Sequence, residues 1–150
     1  MTAGRIGSKG TEMEVDVRRI LVVAAVLIAV AAVSSSAQES GLAVEKMIFC
    51  IGIEDRLPVG ESTQFFESAE RIYCYTRING AVDTLDVTHV WYYGDEEKAR
   101  VDLTIKSASW RTWSSKKMLP VWSGAWRVDV LGPGGEVLLS REFVYKPVDE

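Results

Sequence analysis

The sequence holds few of the residues on which metal sites, cofactor sites and nucleic-acid binding depend. It has one histidine and two cysteines in 150 residues, and no C-x-x-C motif. Its carboxylates are scattered at turns rather than spaced as metal ligands. No run of basic residues is longer than Lys116-Lys117, whereas binding of a phosphate backbone requires a basic surface. We therefore expect no metal ion, no cofactor and no nucleic-acid partner.

A basic pair followed by an apolar run marks the N-terminus. Arg18-Arg19 precedes the run Ile20 to Val33, and small polar residues follow as far as Ala37. This pattern is typical of a signal peptide over residues 1–37, cleaved after Ala37, with Met13 as an alternative start. The run is shorter than the roughly 20 residues that cross a bilayer, which favours export over a retained membrane anchor. We predict a periplasmic or secreted protein, associated with the membrane only if this segment is retained.

The remaining chain is acidic and of single-domain size. The net charge is −4, and residues 1–37 contain more basic than acidic side chains, so the mature chain is more acidic still. A chain of this length can bury one core and little more. We assign residues 38–44 to a linker and residues 45–147 to the domain.

An alternation of apolar and polar residues runs through most of the domain, and no convincing amphipathic helix interrupts it. The alternating segments are Met47 to Ile53, Ile72 to Ile78, Val87 to Tyr93, Val101 to Ile105 and Trp126 to Val130. Val137 to Tyr145 supplies a last strand after the turn Gly132-Pro133-Gly134-Gly135, and Leu57 to Gly60 is another predicted turn. Period two in successive segments predicts an antiparallel immunoglobulin-like β-sandwich, with a small closed barrel as the alternative.

The two cysteines lie on the first two predicted strands. In an oxidising compartment, two cysteines within one small domain are read first as a disulfide, so Cys50 and Cys74 are predicted to bond. The alternative is that both are small buried side chains, since free cysteine is commonly buried.

All five tryptophans lie between residues 91 and 126, and four of them belong to short motifs. The motifs are Glu54-Asp55-Arg56-Leu57-Pro58, His89-x-Trp91, Trp110-Arg111-Thr112-Trp113-Ser114-Ser115-Lys116 and Gly124-x-Trp126-Arg127-Val128. Together they resemble the bacterial family known as domain of unknown function 2914, over about residues 47–145. The resemblance implies a small exported or membrane-tethered domain and carries no activity with it. Leu57 stands where many members have glutamate, which questions any role for a carboxylate there.

Most of the motif residues are interpreted as a structural box. Trp110 and Trp113 are an odd number of positions apart, so in a strand they face opposite sides and one of them enters the core. Arg111 and Arg127 are flanked by tryptophans, so guanidinium groups stacked on indoles are expected. The structural box comprises His89, which we expect to be buried, with Trp91, Trp110, Ser114, Ser115 and Trp126.

The remaining motif residues suggest a contact surface. Arg111, Trp113, Lys116, Trp122 and Tyr92 form the candidate binding surface, with Tyr73 and Tyr75 as further aromatic members. Trp122 lies in a loop, where functional residues concentrate, although it could instead close over the edge of the sandwich. We predict a non-catalytic, envelope-associated binding module whose partner is an envelope protein or a glycan. The alternatives are a carbohydrate-binding domain with aromatic stacking platforms and a purely structural domain. Catalysis is disfavoured because no nucleophile, base and orienting group converge in the sequence.

Overall fold

A computed structural model describes residues 41–148, which form ten strands and one short 3-10 turn. The strands are β1 (Ala43–Cys50), β2 (Gly52–Glu54), β3 (Leu57–Val59), β4 (Gln64–Phe66), β5 (Arg71–Asn79), β6 (Leu85–Tyr93), β7 (Glu96–Ile105), β8 (Ser109–Lys117), β9 (Gly124–Leu131) and β10 (Val137–Lys146). The 3-10 turn is Pro120–Trp122. β1 begins two residues before the predicted domain boundary. The predicted signal peptide, its cleavage site and Met13 lie outside the described residues.

Two sheets pack as a sandwich, which confirms the predicted fold class. One sheet has the order β1-β5-β8 and the other the order β4-β10-β9-β6-β7, while β2 and β3 form a separate hairpin. Neighbouring strands are antiparallel throughout, except that the short β4 runs parallel to β10. The described residues include no α-helix.

The strand order matches that of an immunoglobulin domain. β1, β5 and β8 correspond to strands A, B and E, and β10, β9, β6 and β7 correspond to G, F, C and C′. Trp91 is fully buried on β6, the strand where antibody domains place their core tryptophan. The sheet of constant-type domains continues past strand E to a strand D. Here only residues 106–108 separate β7 from β8, so the three-stranded sheet ends at β8.

Aromatic rings fill the centre of the sandwich around Phe143. The ring centroids of Phe49, Phe65, Trp126 and Trp91 lie 4.7, 5.8, 6.0 and 6.1 Å from that of Phe143. Inward positions of both sheets supply these rings, as the period-two pattern predicts. Each ring removes a large apolar area from water, so the cluster holds the two sheets together.

The predicted Cys50–Cys74 disulfide is not supported, because both cysteines are free and buried. Strand register gives the reason. Cys74 is opposite Phe49 and faces the core, whereas Cys50 is opposite Tyr73 and therefore faces the other side of the sheet. The two thiols would have to cross the sheet to bond. Burial raises the pKa of both thiols.

The hairpin of β2 and β3 folds back over the three-stranded sheet. Its turn is Asp55-Arg56, and both residues have positive φ, at 47° and 61°. This is the backbone of the tight hairpin turn whose twist matches that of the strands. The turn therefore comes two residues before the predicted break at Leu57 to Gly60, most of which is strand β3. β2 lies against β5 and β3 against β1, which explains why Cys50 and Tyr75 are buried although they face away from the core.

Candidate functional site

Strand β8 carries the motif Trp110 to Lys116, which we call the tryptophan box, and presents its residues alternately to the two sides of its sheet. Trp110 is opposite the buried Ile78 and packs against the core. Trp113 is opposite Tyr75 on the outer face of the sheet and is half-buried. The odd separation of the two tryptophans thus places them on opposite faces, as the sequence predicts.

A chain of buried hydrogen bonds connects this box to the His89-x-Trp91 motif in the other sheet. The Trp91 indole N–H donates to the Ser114 hydroxyl at 3.0 Å, and Ser114 Oγ lies 2.7 Å from His89 Nδ1. On the other side of the imidazole, His89 Nε2 lies 3.2 Å from the Thr76 hydroxyl, which donates to the Thr112 carbonyl at 3.3 Å. Two of the family-like motifs therefore meet inside the sandwich.

The two ends of this chain fix the direction of every proton in it. The indole of Trp91 can only donate and the carbonyl of Thr112 can only accept. Ser114 therefore accepts from Trp91 and donates to His89 Nδ1, and His89 Nε2–H donates to Thr76. The imidazole is neutral with its proton on Nε2, and a second proton would face the hydroxyl of Ser114. Burial lowers the pKa of His89 to about 4, in agreement with this neutral state.

The rest of the structural box has simpler roles. The indole N–H of Trp126 donates to the Trp122 carbonyl at 2.9 Å, and its ring is almost fully buried. Ser115 faces outward and accepts a hydrogen bond from Arg71 at 2.8 Å. The predicted stacking of Arg111 and Arg127 on indoles does not occur in the described structure. Arg127 lies 4.4 Å from the ring centre of Tyr92 instead.

The five residues of the candidate binding surface lie in three separate places. Arg111 and Trp113 are on the outer face of the three-stranded sheet, and Tyr92 is on the outer face of the five-stranded sheet, beneath Arg127. Lys116 and Trp122 lie where β8 and the loop after it meet β7 and β9. The sequence could not place these residues because their strands belong to different sheets.

Trp122 closes one edge of the sandwich. Its ring packs edge-on against Trp126, with the centroids 6.0 Å apart. The Nζ atoms of Lys116 and Lys98 lie 4.7 and 5.3 Å from its ring centre. Burial, and next the charge of Lys98, lower the pKa of Lys116. The lid interpretation of this loop tryptophan therefore fits the structure better than a free stacking platform.

We expect Trp122→Ala to lower the free energy of unfolding by about 2 kcal/mol, because it removes a large ring that is half-buried. Two cation–π contacts are lost as well. Urea denaturation measures this loss. The comparison variant is Trp113→Ala, which removes an outward-facing ring opposite Tyr75. Unchanged stability of Trp122→Ala, together with lost binding to a partner, would contradict the lid assignment.

The outer face of the three-stranded sheet brings like charges together. Lys46, Arg77 and Arg111 are direct cross-strand neighbours on β1, β5 and β8. Arg77 pairs with Glu45 at 3.0 Å, but among the described residues neither Lys46 nor Arg111 forms an ion pair. Arg71 and Lys117 form a second row of two cations at the other end of the same face. We call these five cations, with Tyr73 and Trp113 between the two rows, the basic face. The hairpin of β2 and β3 covers Cys50 and Tyr75 in its centre.

A groove of about 560 Å³ adjoins the basic face. Arg71 and Tyr73 belong to both, and Ile51 and Phe66 supply exposed apolar surface on the groove's walls. The cations thus lie beside apolar surface that a partner can cover.

Sequence reasoning missed Thr76, Lys46 and Arg77. Thr76 gave a detectable signal, because it is a polar residue at an inward position between Cys74 and Ile78. Lys46 and Arg77 gave none, since their alignment with Arg111 depends on the register of three strands that are distant in sequence.

Residues 41–148 contain no cluster of three or more histidine, cysteine, aspartate or glutamate side chains that could hold a metal ion. Over the same range, no helix is long and apolar enough to span a membrane.

Comparison with known families agrees with the motifs. The profile of the family described as "Protein of unknown function (DUF2914)" matches residues 85–145, from the start of β6 to near the end of β10. This range includes the tryptophan box and the residues of β6 and β8 in the buried hydrogen-bond chain, whereas Glu54 to Pro58 lies before it. No curated protein matches the chain. The match confirms the resemblance seen in the sequence: residues 85–145 are similar to the DUF2914 family, whose function is unknown.

Proposed function

We propose that this protein is an exported, non-catalytic binding module for an anionic partner, and that the basic face is its binding surface. The row of Lys46, Arg77 and Arg111 carries the proposal. Like charges directly opposite one another destabilise a sheet. A ligand that brings negative charge to the row relieves this repulsion. The row therefore favours binding, although it lowers the stability of the free protein.

The contrast with the rest of the molecule supports this assignment. The chain as a whole has a net charge of −4, so cations gathered on one face stand out. On the outer face of the five-stranded sheet, Arg127 pairs with Asp129 at 3.0 Å and Arg100 with Glu97 at 2.8 Å. These two arginines are neutralised within the protein, whereas Lys46 and Arg111 of the basic face form no ion pair within residues 41–148.

Enclosure of the Ser114–His89 pair supports a role without catalysis. A hydroxyl 2.7 Å from an imidazole nitrogen has the spacing of a nucleophile and its base. Ser114 is 5% exposed and His89 is 0% exposed, however, so a substrate has no access to either group. The hydrogen bonds of the pair to Trp91 in one sheet and Thr76 in the other explain it as a structural link between the sheets.

The proposed export is based on the predicted signal peptide over residues 1–37. An exported binding module would act in the periplasm or outside the cell. A glycan-binding role has less support than a protein partner. Among the aromatic side chains it would use, Trp122 is flanked by two lysines and packed on Trp126, and Tyr92 lies under Arg127.

We expect Arg111→Glu to weaken binding of an anionic polymer by about tenfold, the effect of losing one charge-assisted contact. Titrations of the full chain with polyglutamate and with polygalacturonate would measure the change. Arg141→Glu is the matched control, because it makes the same change of charge at an exposed position on β10 in the other sheet. An equal loss of affinity in both variants, or no binding of either polymer by the unaltered protein, would overturn the proposal.

A further inference from the structure

The free edge of β8 is long and regular. All nine residues of β8 pair with β5 in one unbroken register, from Ser109 opposite Asn79 to Lys117 opposite Arg71. On its other side, β8 pairs with no strand of residues 41–148. It contains no proline and no bulge, two of the features that prevent an edge strand from pairing with another chain, although it carries Lys116 and Lys117.

The other sheet edges are short, irregular or densely charged. β1 has a register shift between Val44 and Lys46, and β4 is only three residues long. The pairing of β7 with β6 shifts register near Trp91 and Tyr92, and five of the seven residues from Glu96 to Asp102 are charged, with both signs present. These features are common protections of edge strands. β8 is long and regular, and its charged side chains are the three cations Arg111, Lys116 and Lys117.

The immunoglobulin strand order shows what position an added strand would occupy. A constant-type sheet runs A-B-E-D, and the sheet here stops at β8, the equivalent of E. A strand from another molecule placed along β8 would occupy the position of D and complete a four-stranded sheet. Addition of a strand to an open edge is an established mode of peptide recognition, in which backbone hydrogen bonds supply much of the affinity.

We propose that β8 binds an extended acidic segment of a partner protein as an added strand. The proposal rests on the function proposed above, because it uses the β8 side of the basic face as the source of specificity. Side chains of an added strand that share the outer face would lie next to Arg111, Trp113, Ser115 and Lys117 in turn.

Charge and shape along β8 define the chemistry of that segment. Acidic residues suit the positions beside Arg111 and Lys117, an apolar residue suits the position beside Trp113, and a small residue suits the one beside Ser115. A second copy of this chain fits poorly. Arg111, Lys116 and Lys117 are the charged residues of β8, so a strand of the same sequence offers no carboxylate in any register.

A nine-residue peptide tests the proposal directly. The probe has glutamate at its first and seventh positions, valine at the fifth, and threonine or serine elsewhere. We expect the full chain to bind it, and Arg111→Glu to weaken the binding by about tenfold. The same peptide with both glutamates replaced by lysine should bind the unaltered protein at least as weakly as the original peptide binds Arg111→Glu.

Two N-methylated forms of this peptide separate strand addition from attraction between charges. One is methylated at alternate odd positions and the other at alternate even positions, and their charges are identical. In an added strand only alternate amides face β8, so one form should lose binding and the other should retain it. Hydrogen exchange provides a second measurement, since amides of β8 that do not bond to β5 should become protected only when a strand is added.

Each outcome decides a different point. Unequal effects of the two methylations, with protection of β8 amides, support strand addition. Equal effects without protection overturn strand addition and leave the basic face as a binding surface. Binding of polygalacturonate but not of the peptide also overturns the inference while the proposed function stands. Failure of every anionic probe overturns both, and a change of oligomeric state with protection of β8 amides would identify a second copy as the occupant.

Discussion

Replacing Ser114 with alanine should lower the free energy of unfolding by about 3 kcal/mol. The Ser114 hydroxyl accepts from the Trp91 indole and donates to His89 Nδ1, and both partners are fully buried. Alanine leaves both groups without a partner, and each buried polar group that loses its partner costs about 1–3 kcal/mol. For a domain of this size the melting temperature should fall by roughly 10–20 °C.

Ser115→Ala is the matched control for this variant. Ser115 is the next residue on β8, but it faces outward and its hydroxyl accepts a hydrogen bond from Arg71 in an exposed setting. Its removal should change stability by no more than about 0.5 kcal/mol. Urea and thermal unfolding of both variants measure the difference. Equal effects would mean that the buried hydrogen-bond chain contributes no more than a surface contact.

Stability should fall as the pH decreases from 6.5, because His89 resists protonation only in the folded state. Its pKa is about 4 in the folded protein and 6.5 without the environment of the fold. Between these values the unfolded chain binds the proton more tightly, so protonation favours unfolding. The contribution of His89 to the free energy of unfolding is fully present above pH 6.5. About 2 kcal/mol of it is lost by pH 5, and the loss reaches about 3 kcal/mol by pH 4.

The upper part of this range isolates the contribution of His89. It is the only histidine of the chain, and ordinary carboxyl groups titrate mainly below pH 5. Melting temperatures between pH 7 and pH 5 should therefore decrease in the natural protein and stay nearly constant in His89→Gln. NMR titration of the imidazole in the unaltered protein gives an independent measurement. A midpoint near 6.5 would contradict the buried, neutral state.

These two predictions give a physical meaning to the motifs. The tryptophan box and His89-x-Trp91 are far apart in sequence, yet Ser114 and His89 join them through one chain of directed hydrogen bonds. Thr76, which lies before the residues matched by the family profile, completes the chain on the other side of the imidazole. A buried network of this kind specifies one arrangement of the sheets because every member needs its partner.

The same box has a second side. On β8 the inward residues Trp110, Thr112 and Ser114 serve the core, while Arg111 and Trp113 belong to the basic face. Alternation along one strand thus combines a structural element and a candidate binding element in a single motif.

Local features of the sequence determined the sandwich. Period-two alternation, turn residues and the absence of an amphipathic helix fixed the strands, because these properties depend on neighbouring residues. The same pattern indicated that His89 is buried and that Trp110 and Trp113 face opposite ways. It also led to the wrong turn at Leu57 to Gly60, since Asp55-Arg56 adopts positive φ without a glycine.

Tertiary structure alone decided which residues are neighbours. Register set Cys50 and Cys74 on opposite faces of their sheet, so the expected disulfide is not supported. The order of strands divided the candidate binding surface among three places and aligned Lys46 and Arg77 with Arg111. These relations join residues distant in sequence, and no local pattern encodes them. The tryptophan box was therefore visible in the sequence, but its buried partners and its basic neighbours emerged only from the packing and pairing of the strands.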